Sequence, residues 1–455
     1  MWKAVLSDLN DLERPIHCKP TTNDYSSSSS PPTGSVASPL YATSNNNNNH
    51  SSPVVARVPL QDCLSCTGCL TLAEEQLSIQ SRYQVIQLCD SWLEQGQQVV
   101  FSLQPQTIAA IAVHLGGLDY TQVAQKIAYA CKQKGVGWVT DQKEARYLSL
   151  LETWEELIQR YEKEKNRLPL IISACPAWVS FMKRKRPEWM DCLSQVYSPA
   201  LMTGYLWKKR KPNIKHVAIM SCYEMAVQTQ TQAVEYPNGI LVDALWTTEQ
   251  LMQWLDWNHG DDIDSIPSTP LDTTWISLER DLCKGTSHGY FWMAVERWID
   301  KVTIEQNGQP PQVEWMTKPE QRDHQQQVYI QWKSSQDGTM KRVGMILAYG
   351  YQSLQRWVKR GLDSDIILLE AMACPHGCVN GSGQLLTHQT KTPKEQRQYL
   401  QSIVDLMGTN GIMNESRWKN SCSCWDEQSQ AHMNHYQSFT FQPYPSITTR
   451  KSIGE

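Results

Sequence analysis

The cysteines are the residues most able to do chemistry, and their spacing is uneven. The densest group is Cys63-Leu-Ser-Cys66-Thr-Gly-Cys69. Two residues between successive thiols let three sulfurs wrap one face of an iron–sulfur cubane while loop amides point at its sulfides. A [4Fe–4S] cluster takes four cysteine ligands. The ferredoxin pattern that continues into a further cysteine and a proline is absent, because Cys69 runs into LTLAEEQL. The fourth ligand must come from elsewhere. Cys18 is the best candidate. Cys89 is the other neighbour, but it sits in QVIQLCDSWL, where a small buried hydrophobe is the simpler reading. Three close cysteines and a distant one also suit tetrahedral zinc, and spacing alone leaves that open.

A second set is positional. Cys175, Cys222, Cys374 and Cys378 all fall at the C-terminal end of apolar runs. In open parallel sheets, ligands bind outside the carboxyl ends of strands. Three strands would then deliver four thiols to one edge. Pro176 suits a first helical position, which would put the Cys175 sulfur at a helix N-terminus, where a thiolate is stabilised. The competing reading is four buried structural cysteines. Ala373-Cys374-Pro375-His376-Gly377-Cys378-Val379-Asn380-Gly381-Ser382-Gly383-Gln384 reads as a rigid turn whose glycines permit positive φ and close backbone approach. It lacks the G-K-[ST] ending of a phosphate loop. His376 reads as a loop residue, not a ligand.

These thiols need a scaffold. Between about 99 and 380, short apolar runs alternate with helical patterns: VVFSL (99–103), GVGWVTD (135–141), LPLIISACPAW (168–178), HVAIMSCYE (216–224), RVGMILAYGY (342–351) and SDIILLEAMACPHGC (364–378). Runs without strict alternation suit strands buried on both faces, and the helices between them suit crossover connections. The expected fold is α/β, two lobes with parallel sheets. Residues 107–115 and 247–257 read as helices, and 300–340 as a polar surface excursion. Residues 1–20 read as an ordered segment carrying Cys18, and 21–53, with SSSSSPP and NNNNNH, as a disordered insertion. Residues 54–98 hold the ferredoxin-like cysteine motif, 99–408 the core, and 409–455 a polar tail whose Cys422 and Cys424 read as incidental.

Composition narrows the function. The net charge of -4 argues against a general nucleic-acid binder, and the clusters Lys183–Arg186 and Lys208–Lys211 read as solvated faces. No apolar stretch is long enough to span a membrane. The N-terminus, with Asp8, Asp11 and Glu13, resembles neither a signal nor a transit peptide. The expectation is a cytosolic protein, with the nucleus as a second compartment. Both are reducing, so clustered cysteines favour metal binding over disulfides.

The motifs resemble those of the [FeFe]-hydrogenase superfamily: SACPAW around Cys175, MSCYEMAVQ around Cys222, and EAMACPHGCVNGSGQ around Cys374 and Cys378. The likeness is closer to its non-hydrogenase branch, the nuclear prelamin A recognition factor-like family of cytosolic iron–sulfur assembly factors. SDLNDLERPIHCKP, LQDCLSCTGCLTLAEE, SPALMTGYLWK and GTSHGYF occur in that family's order. The resemblance implies two [4Fe–4S] clusters, one on Cys18, Cys63, Cys66 and Cys69, the other between the lobes on Cys175, Cys222, Cys374 and Cys378. It also implies a place between scaffold NTPases and a targeting complex with a WD40 subunit. Against working hydrogenases, Ala174 stands where the proton-relay cysteine would be. Met225 stands for the second-motif lysine and Gln228 for its glutamate. The resemblance therefore implies no catalytic hydrogen chemistry. Met225, Ser221 in place of a usual proline, and the ending RKSIGE in place of an aromatic residue also depart from the assembly-factor pattern.

Overall fold

The computed structural model describes residues 84–407 apart from 223–239, 259–262, 274–285, 317–324, 336 and 386–392, together with residues 15–16 and 58–59. Cys18, Cys63, Cys66, Cys69, Met225, Gln228, Cys422 and Cys424 lie outside the described residues. The chain divides into two compact units, Met1–Ser81 and Arg82–Glu455. In the first, strand β1 (Pro15–Ile16) pairs antiparallel with β2 (Val58–Pro59), with Ile16 opposite Val58.

The second unit holds two sheets. The first is wholly parallel, in the order β4-β3-β6-β7, from β3 (Val99–Leu103), β4 (Trp138–Asp141), β6 (Lys215–Met220) and β7 (Ala244–Thr247). All five residues of β3 are buried, as a strand covered on both faces requires. Helices α1 (84–94), α2 (Pro105–His114), α3 (Tyr120–Gln133) and α7 (Thr248–Leu255) pack around it. Proline at the first turn of α2 fixes φ where no backbone donor is needed. A capping box between Thr247 and Gln250 starts α7 directly from the end of β7. Cys89 is fully buried in this core, and the helix carrying it belongs to this lobe rather than to the cysteine-motif region.

The second sheet is mixed, in the order β5-β11-β10-β9-β8. Strands β5 (Leu170–Ile172), β10 (Met340–Tyr349) and β11 (Ile366–Met372) run parallel. Strands β8 (Gln312–Trp315) and β9 (Gln325–Lys333) extend the sheet antiparallel. Within 300–340, expected to be a polar surface excursion, Gln325–Lys333 is instead a half-buried strand of this sheet, while the parallel pairs stand as expected. In QQQVYIQWK the buried Gln326, Val328, Ile330 and Trp332 alternate with side chains on the other face. The glutamines hid that two-residue period, although one of them is itself buried. Helices α4 (Lys143–Lys163) and α8 (Tyr290–Glu305) cover this sheet with a Trp-rich layer, in which Trp298 packs edge-on against Trp154, Tyr161 and Trp332.

The basic clusters fall in the last turns of α5 (Pro176–Lys185) and α6 (Pro199–Arg210), where cations complement the helix dipole. Lys183, Arg184 and Lys185 are exposed as expected. Lys208 is not: its ammonium lies 2.5 Å from Asp243, both side chains are 9% exposed, and Asp243 also accepts from the His216 amide. Gly204 of α6 makes that approach possible, since a Cβ there would sit 2.0 Å from the Leu241 carbonyl oxygen.

Candidate cluster-binding site

Each described cysteine of the second set follows a strand end. Cys175 lies three residues beyond β5, Cys222 two beyond β6, and Cys374 two beyond β11. The first and third strands belong to one lobe and the second to the other, so the thiols come from both. Cys175 is the N-cap of α5 with Pro176 at the first helical position. Its amide is held by the Ser173 hydroxyl at 3.1 Å, and that hydroxyl donates to the Ala371 carbonyl at 2.6 Å. All four cysteines are half-buried, unlike Cys89, Cys131 and Cys192.

Cys378 is the centre of the arrangement. Burial pushes its thiol up to about 12, the Ser287 hydroxyl opposes this, and the charges that Cys175 and Cys222 would carry push it further up. Cys175 and Cys378 also pack on the same apolar cluster. Cys374 precedes Cys378 by four residues in one tight turn, where its carbonyl accepts the Gly377 amide at 3.0 Å. The Ser287 hydroxyl lies 2.9 Å from the Cys378 sulfur, His288 Nε2 lies 3.9 Å from it, and the Ser382 hydroxyl lies 3.9 Å from the Cys222 sulfur.

The glycine-rich turn is built for contact between lobes. Gly377 has φ 73°, and a Cβ there would meet Tyr349 at 2.9 Å. A Cβ on Gly381 would sit 2.0 Å from the Ser221 carbonyl oxygen, and one on Gly383 2.5 Å from Thr247. These last two make room for the other lobe's backbone and side chains. His376 is a loop residue as expected, but with φ 63° it holds a left-handed conformation unusual for a residue with a side chain. Ser221, where the family pattern usually has proline, has several partners. Its amide and hydroxyl lie 2.9 and 3.0 Å from Gln104 Oε1, and its hydroxyl 2.7 Å from the Cys378 carbonyl. A proline could make none of these contacts.

Four cysteine thiols are the donor set that a [4Fe–4S] cluster takes. Among the described residues, no group of three or more His, Cys, Asp or Glu side chains is gathered closely enough to hold one metal ion. In a cubane each thiolate takes a different iron, so the sulfurs stand farther apart than tetrahedral zinc ligands do. Sequence reasoning missed Ser287, Tyr349 and Glu370 behind Cys378. Ser287 lies within GTSHGYF, and the charged Glu370 inside the otherwise apolar IILLEAM is the signal that points to this set.

Residues 97–382 match the family model for the iron only hydrogenase large subunit, C-terminal domain. The chain belongs to the iron-only hydrogenase-like family. Within it, cytosolic iron-sulfur assembly component 3 of Mus musculus is 30% identical, over 78% of this chain and 77% of that protein. Protein NAR1 of Arabidopsis thaliana is 28% identical over 80% of each, and cytosolic Fe-S cluster assembly factor narfl of Xenopus tropicalis 31% identical over 78% and 76%. Among solved members, apo [FeFe]-hydrogenase HydA1 from Chlamydomonas reinhardtii superposes with a TM-score of 0.59 at 19% identity, covering 79% of this chain and 96% of that one. This establishes the two-lobed hydrogenase-like α/β fold. No described helix is long and apolar enough to cross a membrane.

Proposed function

We propose that this protein is a cytosolic iron–sulfur assembly factor that carries two [4Fe–4S] clusters. Its relatives are named as cytosolic assembly factors. The observation that carries the reading is the placement of four half-buried cysteines just past strand ends of both lobes, with Ser221, next to Cys222, reaching the Cys378 carbonyl, and Cys374 in the same turn as Cys378. These four would hold the inter-lobe cluster, which would be shielded and mainly structural when bound. The protein's part is to exclude water and clamp the lobes about it. Cys18, Cys63, Cys66 and Cys69 would hold the other. The pairing of Ile16 with Val58 supports including Cys18, because it ties the segment two residues before Cys18 to the segment leading into the Cys63 motif.

An adaptor role fits better than hydrogen catalysis. Ala174, directly before Cys175, is packed on the apolar core of the second lobe and offers only a methyl group. It can neither accept nor donate a proton. The N-terminal cluster, outside the hydrogenase-like core, is the candidate for transfer or redox sensing. The partners by this reading are the scaffold NTPases upstream and the WD40-containing targeting complex downstream, in cytosol and nucleus. No direct nucleic-acid contact is involved.

The deciding experiment is anaerobic iron and sulfide quantification, with EPR of the reduced protein. Two [4Fe–4S] clusters and no hydrogen evolution are expected. Colourless protein containing zinc would replace the reading with a zinc-stabilised interaction protein, and hydrogen evolution would replace it with a redox enzyme.

A further inference from the structure

Behind Cys378 runs a buried chain of hydroxyl groups that ends on a carboxylate. The Ser287 hydroxyl lies 2.9 Å from the Cys378 sulfur, and its pull on the Tyr349 hydroxyl opposes the rise that burial and Glu370 give that phenol. Tyr349 donates to Glu370 Oε1 at 2.7 Å, and the Phe291 amide donates to Glu370 Oε2 at 2.7 Å. Ser287 and Glu370 are 0% exposed and Tyr349 1%. Arg146 holds the Ser287 and His288 carbonyls through Nη2 and Nε, which fixes the backbone of the serine.

We propose that Ser287 is a positioning residue for the Cys378 sulfur, donating to it in the cluster-loaded protein, and that Tyr349 and Glu370 set how fully it donates. This rests on the reading of Cys378 as a cluster ligand. An iron-bound cysteine is a thiolate and only accepts hydrogen bonds. Ser287 has one hydrogen and two claimants, the Cys378 sulfur and the Tyr349 oxygen. Glu370 as a carboxylate takes the Tyr349 hydrogen, which leaves the phenolic oxygen as an acceptor and draws the Ser287 hydrogen away from sulfur. A neutral side chain at 370 that can donate to Tyr349 turns the chain round and sends the Ser287 hydrogen to the sulfur. A hydrogen bond to a ligand sulfur favours the reduced, more negative cluster and so raises its potential.

The sign pattern separates this from mere structural support. The full chain carrying C63A, which removes the N-terminal cluster by the reading above, is loaded anaerobically and titrated by EPR-monitored potentiometry. S287A should lower the midpoint potential, S287T should restore it, and Y349F and E370Q should both raise it. S287A unchanged in potential, or S287A and Y349F shifting in the same direction, overturns the inference while iron and sulfide stay at the parent level. If S287A retains no iron, E370Q and Y349F carry the test, and potentials at or below the parent value overturn it. A parent chain devoid of acid-labile sulfide overturns this inference and the cluster reading together.

Discussion

The Ser221 hydroxyl lies 2.7 Å from the carbonyl oxygen of Cys378. One residue adjoins the cysteine of the first lobe and the other is a cysteine of the second. The Gly383 amide donates to the Ser221 carbonyl at 3.0 Å, completing the joint. These backbone-directed contacts join the two lobes at the site itself. Whatever loosens this joint moves the thiols apart.

Replacing Ser221 by alanine should weaken that joint without abolishing it, because the Gly383 amide still reaches its carbonyl. The expected cost is about 1–2 kcal/mol, the scale of a lost buried hydrogen bond. Chemical denaturation of anaerobically loaded protein measures it, and a variant as stable as the parent would contradict the joint's importance.

Gly381→Ala should be far harsher. Its methyl would need to occupy space 2.0 Å from the Ser221 carbonyl, a backbone atom that yields only if the lobes part. Overpacking of this kind typically costs about 1–3 kcal/mol or more, and the inter-lobe iron should be lost with it. Gly137→Ala, which meets its nearest atom at 3.4 Å, is the matched control and should load normally.

The two cysteine sets should fail differently. C63A or C66A should lose the iron of one cluster and leave the core folded. C374A or C378A should lower solubility and thermal stability of the whole, because cluster binding is coupled to folding. Iron content and thermal melts of both pairs decide it. Retention of both clusters in C63A would exclude Cys63 as a ligand, and normal stability of C378A would count against the inter-lobe site.

His216 supplies a pH test away from the thiols. It is fully buried between Ser102 at 2.8 Å and the Leu241 carbonyl at 2.9 Å. Burial pushes its pKa down to about 4, with Asp243 and the Leu241 contact opposing. The unfolded chain binds this proton near pH 6.5 and the folded chain does not, so stability is full above 6.5 and falls as pH drops towards 4. The size is about 3 kcal/mol at roughly 1.4 kcal/mol per pH unit. In H216Q the stability curve should flatten across that window. An unchanged slope would assign the acid sensitivity elsewhere.

Much of this was legible in sequence for a physical reason. Strands β3, β10 from Val343 onward and β11 are buried on both faces, so the apolar runs at 99–103, 342–351 and 364–378 have to be nearly continuous. Pro176 after Cys175 marks a helix start by its fixed φ, and the structure has one there. Cysteines at the ends of such strands follow from the same local rules. The hairpin of Gln312–Trp315 and Gln325–Lys333 escaped notice because its glutamines mask a two-residue alternation. Lys208 escaped because a charge run does not reveal which member meets Asp243.

The sequence by itself determined the elements, the helix starts and which cysteines stand at strand ends, since each depends on a residue and its near neighbours. Only the tertiary structure decided that Gly381 must meet Ser221, that Ser287 and Tyr349 stand behind Cys378, and that Glu370 ends that chain. Those pairings join residues from 21 to 160 positions apart. Their partners are selected by the packing of two lobes, and no local spacing encodes it.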